Sequence, residues 1–413
     1  MWYTCLNWYS NKGVPMKTKW MGLVLAIGLL AATGWGQVQP GFHAGPLTLS
    51  PFAGVAGSYD SNTGRTSSDE QDDIFVESDV GLRLDCQVRE VQISGLGFVV
   101  QRSYADEDGL DFWAGGEALT LRIGNPEKIT LEAQESWRRV EDLDTYGSAA
   151  DIGGMSPDAF LDADVRSRRE VLEAGTVLTA QLTDKSDVSA GYRYNQTDYR
   201  SDDLFDLSGH GGQMEAAHRV TDKTAGLLTL VGGLQESDDV DGEAEYFAAR
   251  LGVRTRGTDR MSLKAGAGFQ QLDRPEDAGT EDGLNFDAVA TWAATDKTSV
   301  ELEGRNGIQM SSIHLANIVD FSVFRLGVAY RMTPSIGLSA SGVYRIDDYA
   351  DPVMDEGELV DREDEGVTVK LRADYLIPAK YLRFFGELMY ETVDSTIRDY
   401  DVGRVNLGVD IGY

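Results

Sequence analysis

The stretch LTDKSDVSAGYRYNQTDYRSDD, residues Leu182–Asp203, decides the fold, because its parts return. TDKS at Thr183–Ser186 comes back as TDKT at Thr221–Thr224 and again at Thr295–Thr298. Between such polar tetrapeptides lie runs of alternating character. In the quoted stretch Val188, Ala190, Tyr192 and Tyr194 alternate with Ser189, Gly191, Arg193 and Asn195. Met261, Leu263, Ala265, Ala267 and Phe269 alternate with Ser262, Lys264, Gly266, Gly268 and Gln270. Ile336 to Ile346 repeats the pattern, broken only by Val343, and Val367 to Tyr375 repeats it again. A period of two gives a β-strand one apolar and one polar face. The runs reach about ten residues, the length a tilted strand needs to cross a bilayer. Strands of soluble sandwiches are nearer five or six residues.

Tight connections fall at Arg89-Glu90, Asn125–Lys128, Thr183–Ser186, Thr221–Thr224, Gly257–Arg260, Thr295–Thr298, Met332–Ser335 and Ile377–Lys380. From Thr183 onward their starts are 38, 36, 38, 37 and 45 residues apart. Thr, Asp and Pro suit such turns, Asp by bonding its own backbone and Pro by presetting φ. Looser connections fall between them, at Asp60–Asp72, Ala105–Leu110, Asp142–Arg169, Arg200–Gly209, Ser237–Gly242, Asp273–Asp282, Ser311–Asn317, Asp348–Asp364 and Val393–Asp399. Eight tight turns and nine loops divide eighteen strands, with both ends of the chain on the tight-turn side. Strict alternation of turn and loop, with an even strand count, fits an all-β transmembrane antiparallel up-and-down barrel of about 18 strands. Closure removes the exposed edges that so much β-structure would leave. Pro51 is the misfit, since proline removes a ladder donor, and the first strand is expected to begin at Phe52.

The chain has 413 residues and a formal charge of −31, from 68 acidic against 37 basic side chains. Such a surface repels phosphates and excludes nucleic acid as a partner. Residues 1–36 read as a secretory signal peptide with its true start at Met16: Lys17 and Lys19 supply the positive region, Met21–Ala32 the apolar core, and Gly34–Gly36 the small-residue cleavage site. An uncleaved single-helix anchor is the alternative. Residues 37–46 read as a short periplasmic segment and 47–413 as the barrel. Of the two cysteines, Cys5 would leave with the leader, so Cys86 cannot form an internal disulfide.

The apolar faces place Tyr192, Tyr194, Trp292, Tyr330, Tyr344, Tyr375, Tyr390 and Tyr413 outward, as interfacial aromatics would be. The opposite faces carry charge of both signs. Unpaired charges are prohibitive in a dry core and tolerable in a wet lumen, and eighteen strands leave a lumen too wide for side chains to fill. Candidate pore-lining residues are Arg193, Arg250, Arg254, Lys264, Asp287, Glu301, Glu303, Arg305, Lys370 and Arg372. Opposed across the lumen they would set a transverse field, and paired between neighbouring strands they would contribute little. The longest loop offers a candidate constriction at Asp162, Asp164, Arg166, Arg168 and Arg169, with surface capping as the alternative.

No enzyme is expected. His43, His210, His218 and His314 have no metal-ligand spacing, and neither a Gly-x-Ser-x-Gly elbow nor a phosphate loop occurs. No cofactor is implied, and the acidic loop SDDVDGE lacks a full EF-hand ligand ladder.

The hairpin units LTDKSDVSAGYRYNQTDYRSDD and MTPSIGLSASGVYRIDDYADP, with the opening strand PFAGVAGSYDSNTGR, resemble the bacterial family called putative beta-barrel porin 2. The resemblance covers Leu47–Tyr413. It implies a barrel in the outer membrane of a Gram-negative-type bacterium, in contact with membrane lipid and lipopolysaccharide, and it carries over no catalytic residues. The function expected is a channel for passive diffusion of small hydrophilic solutes or ions. An accessory barrel for exopolysaccharide export or surface organisation is the alternative. Self-assembly and periplasmic export partners are open at this point.

Overall fold

Threonine sets the hairpins. In the computed structural model the hydroxyl of Thr221 accepts hydrogen bonds from the backbone N–H of Lys223 (3.3 Å) and Thr224 (3.0 Å). Thr333 does the same for Ser335 (3.2 Å) and Ile336 (3.0 Å). Thr183, Thr258 and Thr295 each accept from the residue two positions on, and Asn125 substitutes its amide oxygen for the hydroxyl. A short side-chain oxygen that satisfies turn donors needs no glycine and no left-handed residue.

Residues 41–413 are described, apart from 64–69, 126, 141–167, 201–205, 238–242, 275–278, 311–317, 356–357, 378–380, 398 and 413. Residues 1–40, which include the expected signal peptide, and most of the longest loop lie outside the described residues. A three-residue strand, β1 (Phe42–Ala44), precedes the barrel. The barrel then runs through β2 (Leu47–Asp60), β3 (Asp73–Val88), β4 (Val91–Tyr104), β5 (Phe112–Asn125) and β6 (Ile129–Val140). It continues through β7 (Arg169–Thr183), β8 (Ser186–Tyr199), β9 (Leu207–Arg219), β10 (Thr224–Ser237) and β11 (Glu243–Thr258). Next come β12 (Met261–Asp273), β13 (Thr280–Trp292), β14 (Thr298–Met310), β15 (Ile318–Arg331) and β16 (Ile336–Tyr349). A small loop hairpin, β17 (Val353–Asp355) with β18 (Glu358–Val360), precedes the last strands β19 (Glu363–Ile377), β20 (Leu382–Ser395) and β21 (Tyr400–Ile411).

Each barrel strand pairs antiparallel with its sequence neighbours, and β2 pairs with β21 from Ala53↔Ile411 to Asp60↔Arg404, which closes eighteen strands into a cylinder. The chain has the turn-and-loop alternation expected from its sequence. The expectation for Pro51 is overturned, since β2 begins at Leu47 and runs straight through it. At Pro51 one side pairs with Leu82 of β3. On the other side β1 ends its register at Leu49 and β21 begins at Ala53. A missing N–H in that gap costs no ladder bond.

All eight tight turns are stitched to the next hairpin. A turn carbonyl accepts from the end of the following strand at Glu90 (from Gly124), Lys128 (Gln181), Lys185 (Arg219) and Lys223 (Arg256). The same bond recurs at Arg260 (from Ala293), Lys297 (Arg331), Ser335 (Leu376) and Tyr381 (Gly412). The turns therefore form one continuous hydrogen-bonded rim.

Acidic residues hold parts of the opposite, loop-bearing rim. Asp111, Asp206 and Asp399 accept from the backbone N–H of Tyr104 (2.7 Å), Tyr199 (2.6 Å) and Ser395 (2.9 Å). Asp73 collects the N–H groups of Asp106 (3.2 Å) and Glu107 (3.0 Å). Part of the loop acidity is thus structural.

The outer face is apolar and open. Leu284 is 80% exposed, Leu251 70% and Leu407 64%, values a water-soluble sheet would cover. Strands of 12 to 16 residues at about 3.3 Å per residue are long enough to cross a bilayer when tilted.

Candidate functional site

Register parity divides every strand into an outer and an inner face, and ion pairs identify the inner one. Lys264 of β12 reaches Glu215 of β9 at 2.8 Å, and Arg254 of β11 lies 3.7 Å from Asp187 of β8. Each pair is three strands apart, about 14 Å along the wall at the usual strand spacing. Side chains converge over that span only on the concave side.

The candidate lining residues all fall on this inner face, and most are paired. Arg193 pairs with Glu173 at 2.8 Å and Arg250 with Asp287 at 2.9 Å. Glu303 lies between Arg305 (3.1 Å) and Arg325 (3.5 Å). Arg372 is held by Asp374 (3.1 Å) and Glu387 (3.5 Å). Neighbouring-strand pairing, the second of the two arrangements the sequence allowed, describes Arg193 with Glu173 and Arg372 with Glu387, whereas Arg250 of β11 and Asp287 of β13 pair across the intervening β12. Glu301 and Lys370 have no ion-pair partner among the described residues.

Sequence reading passed over several inner-face partners: Arg138, Glu173, Asp187 and Glu215. The signal was present, since Asp187 has the same parity as Arg193 and extending the alternation one step reaches it.

Toward the loop end the inner wall changes character. Three buried apolar clusters stand there: Val100, Phe112 and Ala114; Met389, Tyr400 and Val402; and Leu207, Ala244, Leu272, Ile308 and Ile318. Buried arginines are packed among aromatic rings at the same level. Arg102 lies 4.7 Å from the Phe75 ring centroid and 5.4 Å from that of Phe112, and donates to Glu77 at 3.1 Å. Arg404 donates to Asp60 through Nε (3.1 Å) and Nη2 (2.5 Å), with the two side chains 6% and 2% exposed. This pair joins the first strand to the last, next to Ser61 N–H donating to Gly403 O (3.0 Å) and Gly403 N–H donating to Ser61 Oγ (2.7 Å). Arg345 and Asp347, likewise buried, pair at 2.6 Å along β16.

Of the candidate constriction residues, Asp162, Asp164 and Arg166 lie outside the described residues. Arg168 donates from Nη2 to the carbonyl oxygens of Asp111 (3.2 Å) and Gly109 (3.5 Å), which ties it to the loop between β4 and β5. Arg169 opens β7, opposite Val140 and Tyr199. Among the described residues no group of three or more His, Cys, Asp or Glu is placed to hold a metal ion.

A closed cylinder with an apolar exterior and a charged interior is a barrel of the outer membrane, built as a porin-type channel is built. The chain belongs to the putative beta-barrel porin 2 family, whose sequence profile matches residues 38–413. Among solved structures it is similar to the Acinetobacter baumannii protein OccAB4, with 12% identity, a TM-score of 0.48, and coverage of 88% of this chain and 98% of that one. It is also similar to OpdK of Pseudomonas aeruginosa, with 14% identity, a TM-score of 0.46, and coverage of 88% and 99%. OpdO of the same organism aligns with 15% identity, a TM-score of 0.45, and coverage of 88% and 97%. Comparison with curated protein sequences gives no match.

Proposed function

We propose that this barrel is a passive diffusion channel for small hydrophilic solutes or ions. The observation that carries the reading is the inner wall, where charged side chains of both signs are arrayed along a face that an apolar-filled barrel could not accommodate. Arg193, Arg250, Arg254, Lys264, Asp287, Glu303, Arg305 and Arg372 act as a hydrated, pair-neutralised lining. Such pairs compensate each other and leave little net field. Selectivity then falls to inner-face charges without an ion-pair partner among the described residues, Lys370 and Glu301 among them, together with the acidic loops around the entrance. The buried clusters at the loop end narrow the passage and set its size limit. No step of this transport consumes energy or changes a covalent bond.

Proteoliposome swelling tests the proposal. Vesicles carrying the refolded protein are expected to swell in isotonic solutions of small uncharged sugars, at rates that fall steeply with sugar size. Folded protein that leaves every sugar excluded would overturn it.

A further inference from the structure

The ladder between β13 and β14 stops halfway. Its register runs from Trp292↔Val300 to Phe286↔Asn306 and ends there, although β13 extends to Thr280 and β14 to Met310. Both strands keep full ladders on their other sides, β13 with β12 and β14 with β15. The edge of β13 from Thr280 to Asn285, about 20 Å at the usual rise per residue, has no strand paired beside it.

Asn306 caps the last rung with its side chain. Its amide oxygen accepts from Phe286 N–H (2.8 Å), and its amide nitrogen donates to Leu284 O (3.3 Å). Continued in register, Ile308 would stand opposite Leu284. Its carbonyl oxygen instead accepts from the side-chain amide of Gln270 on β12. Gln270 is on the inner face, so it reaches β14 from the lumen across the width of β13. Gly307 permits the approach, because a Cβ there would stand 2.8 Å from Gln270 Oε1. Ile308 and Ile318 have outer-face parity, yet they are buried with Leu207, Ala244 and Leu272 from the inner faces of β9, β11 and β12. The loop ends of β14 and β15 have turned inward together and left a gap in the wall.

The two sides of the gap differ. Outside, Leu284 stands at the open edge, 80% exposed, and no other large apolar side chain among the described residues is exposed as far. Below it Phe286 and Phe324 pair on the outer face, with ring centroids 6.4 Å apart. Inside, the lining is amide. Asn285, 5% exposed, donates to Gln270 Oε1 (3.2 Å), and Asn285 Oδ1 and Gln309 Nε2 have no hydrogen-bond partner among the described residues. Asp282 and Asp320, exposed on the outer face beside the gap, disfavour an anion. A strand edge facing hydrocarbon leaves backbone groups unsatisfied, so a barrel keeps one only where it lines a passage or is covered by protein.

We infer that the gap is a lateral portal, through which an uncharged, largely apolar solute with a hydrogen-bonding group passes between the loop end of the lumen and the outer leaflet. The apolar rim outside takes the hydrocarbon part of such a solute, and the amides inside take its polar group. This path is separate from axial diffusion of hydrophilic solutes and does not rest on it.

Uptake of N-phenylnaphthylamine, an uncharged apolar fluorophore with one N–H, by cells of a Gram-negative host tests the portal. Cells making the protein in a Cys86→Ser background are expected to take it up several-fold faster than cells without it. Coupling a bulky polar maleimide to Leu284→Cys is expected to abolish the gain. The same label on Leu251→Cys, on the outer face of β11, is expected to leave it. Cysteine pairs test the gap itself. Gly283→Cys with Gln309→Cys, which would be in register only if the ladder continued, is expected not to cross-link on mild oxidation. Val289→Cys with Glu303→Cys, inside the ladder, is expected to do so. Heat-modifiable electrophoretic mobility confirms that each variant is a folded barrel. Uptake no faster than in cells without the protein, or equal loss from both labels, would overturn the proposal. So would cross-linking of the first pair as readily as the second, since that would show a continuous wall. Sugar-driven swelling does not use the gap, so the channel reading is judged separately.

Discussion

At the scale of single residues, the oxygen of a threonine and the guanidinium of an arginine carry different loads. The Thr221 hydroxyl satisfies two turn donors in a position open to water. Its loss is therefore modest: Thr221→Val is expected to lower unfolding free energy by about 1 kcal/mol, while Thr221→Ser leaves it unchanged, as urea titrations in detergent would read. Arg404 and Asp60 are buried together at the seam. Removing one partner strands a charge, so Arg404→Met is expected to cost about 3–5 kcal/mol and to lower the temperature at which the folded band is lost in gel-shift assays. Adding Asp60→Leu is expected to restore most of that loss, because the orphaned carboxylate goes with it. The sequence made the turn threonines visible through repetition. It did not reveal Arg404–Asp60, since partners 344 positions apart share no local signal.

At the scale of strands and hairpins, most of the architecture was legible. Alternation fixed the faces, and the TDKT-type turns fixed the boundaries, because both arise from interactions between near neighbours in the chain. Pro51 was misread because its tolerance depends on a gap between β1 and β21, strands at opposite ends of the sequence. Val343, the break in its strand's alternation, lies on the inner face opposite Arg325 and Thr368. The candidate lining was legible as a face but not as pairs: Lys264–Glu215 joins β12 to β9, a relation only the curvature of the wall creates. Pairing also decides which charges matter to permeating ions. Glu303→Gln is expected to remove a negative charge beside Arg305 and Arg325 and move the reversal potential in a salt gradient toward anion preference. Lys370→Glu is expected to move it toward cations, and farther per charge changed, because no ion-pair partner among the described residues compensates Lys370. Equal and negligible shifts from both would show that neither residue sees the permeating ion.

At the scale of the whole molecule, stability and function share one arrangement. The turn rim is a row of eight hairpins bonded one to the next and ending on β21, the seam is locked by a buried ion pair, and the outer face is apolar. The same closure encloses a wall whose charges require water. Single-channel recording in planar bilayers examines that enclosure itself. Detergent-purified, heat-modifiable protein is expected to insert as discrete, long-lived conductance steps, with a current that rises linearly with voltage near zero. Correctly folded barrels that insert into the bilayer and carry no current at any voltage would contradict the existence of a water-filled passage.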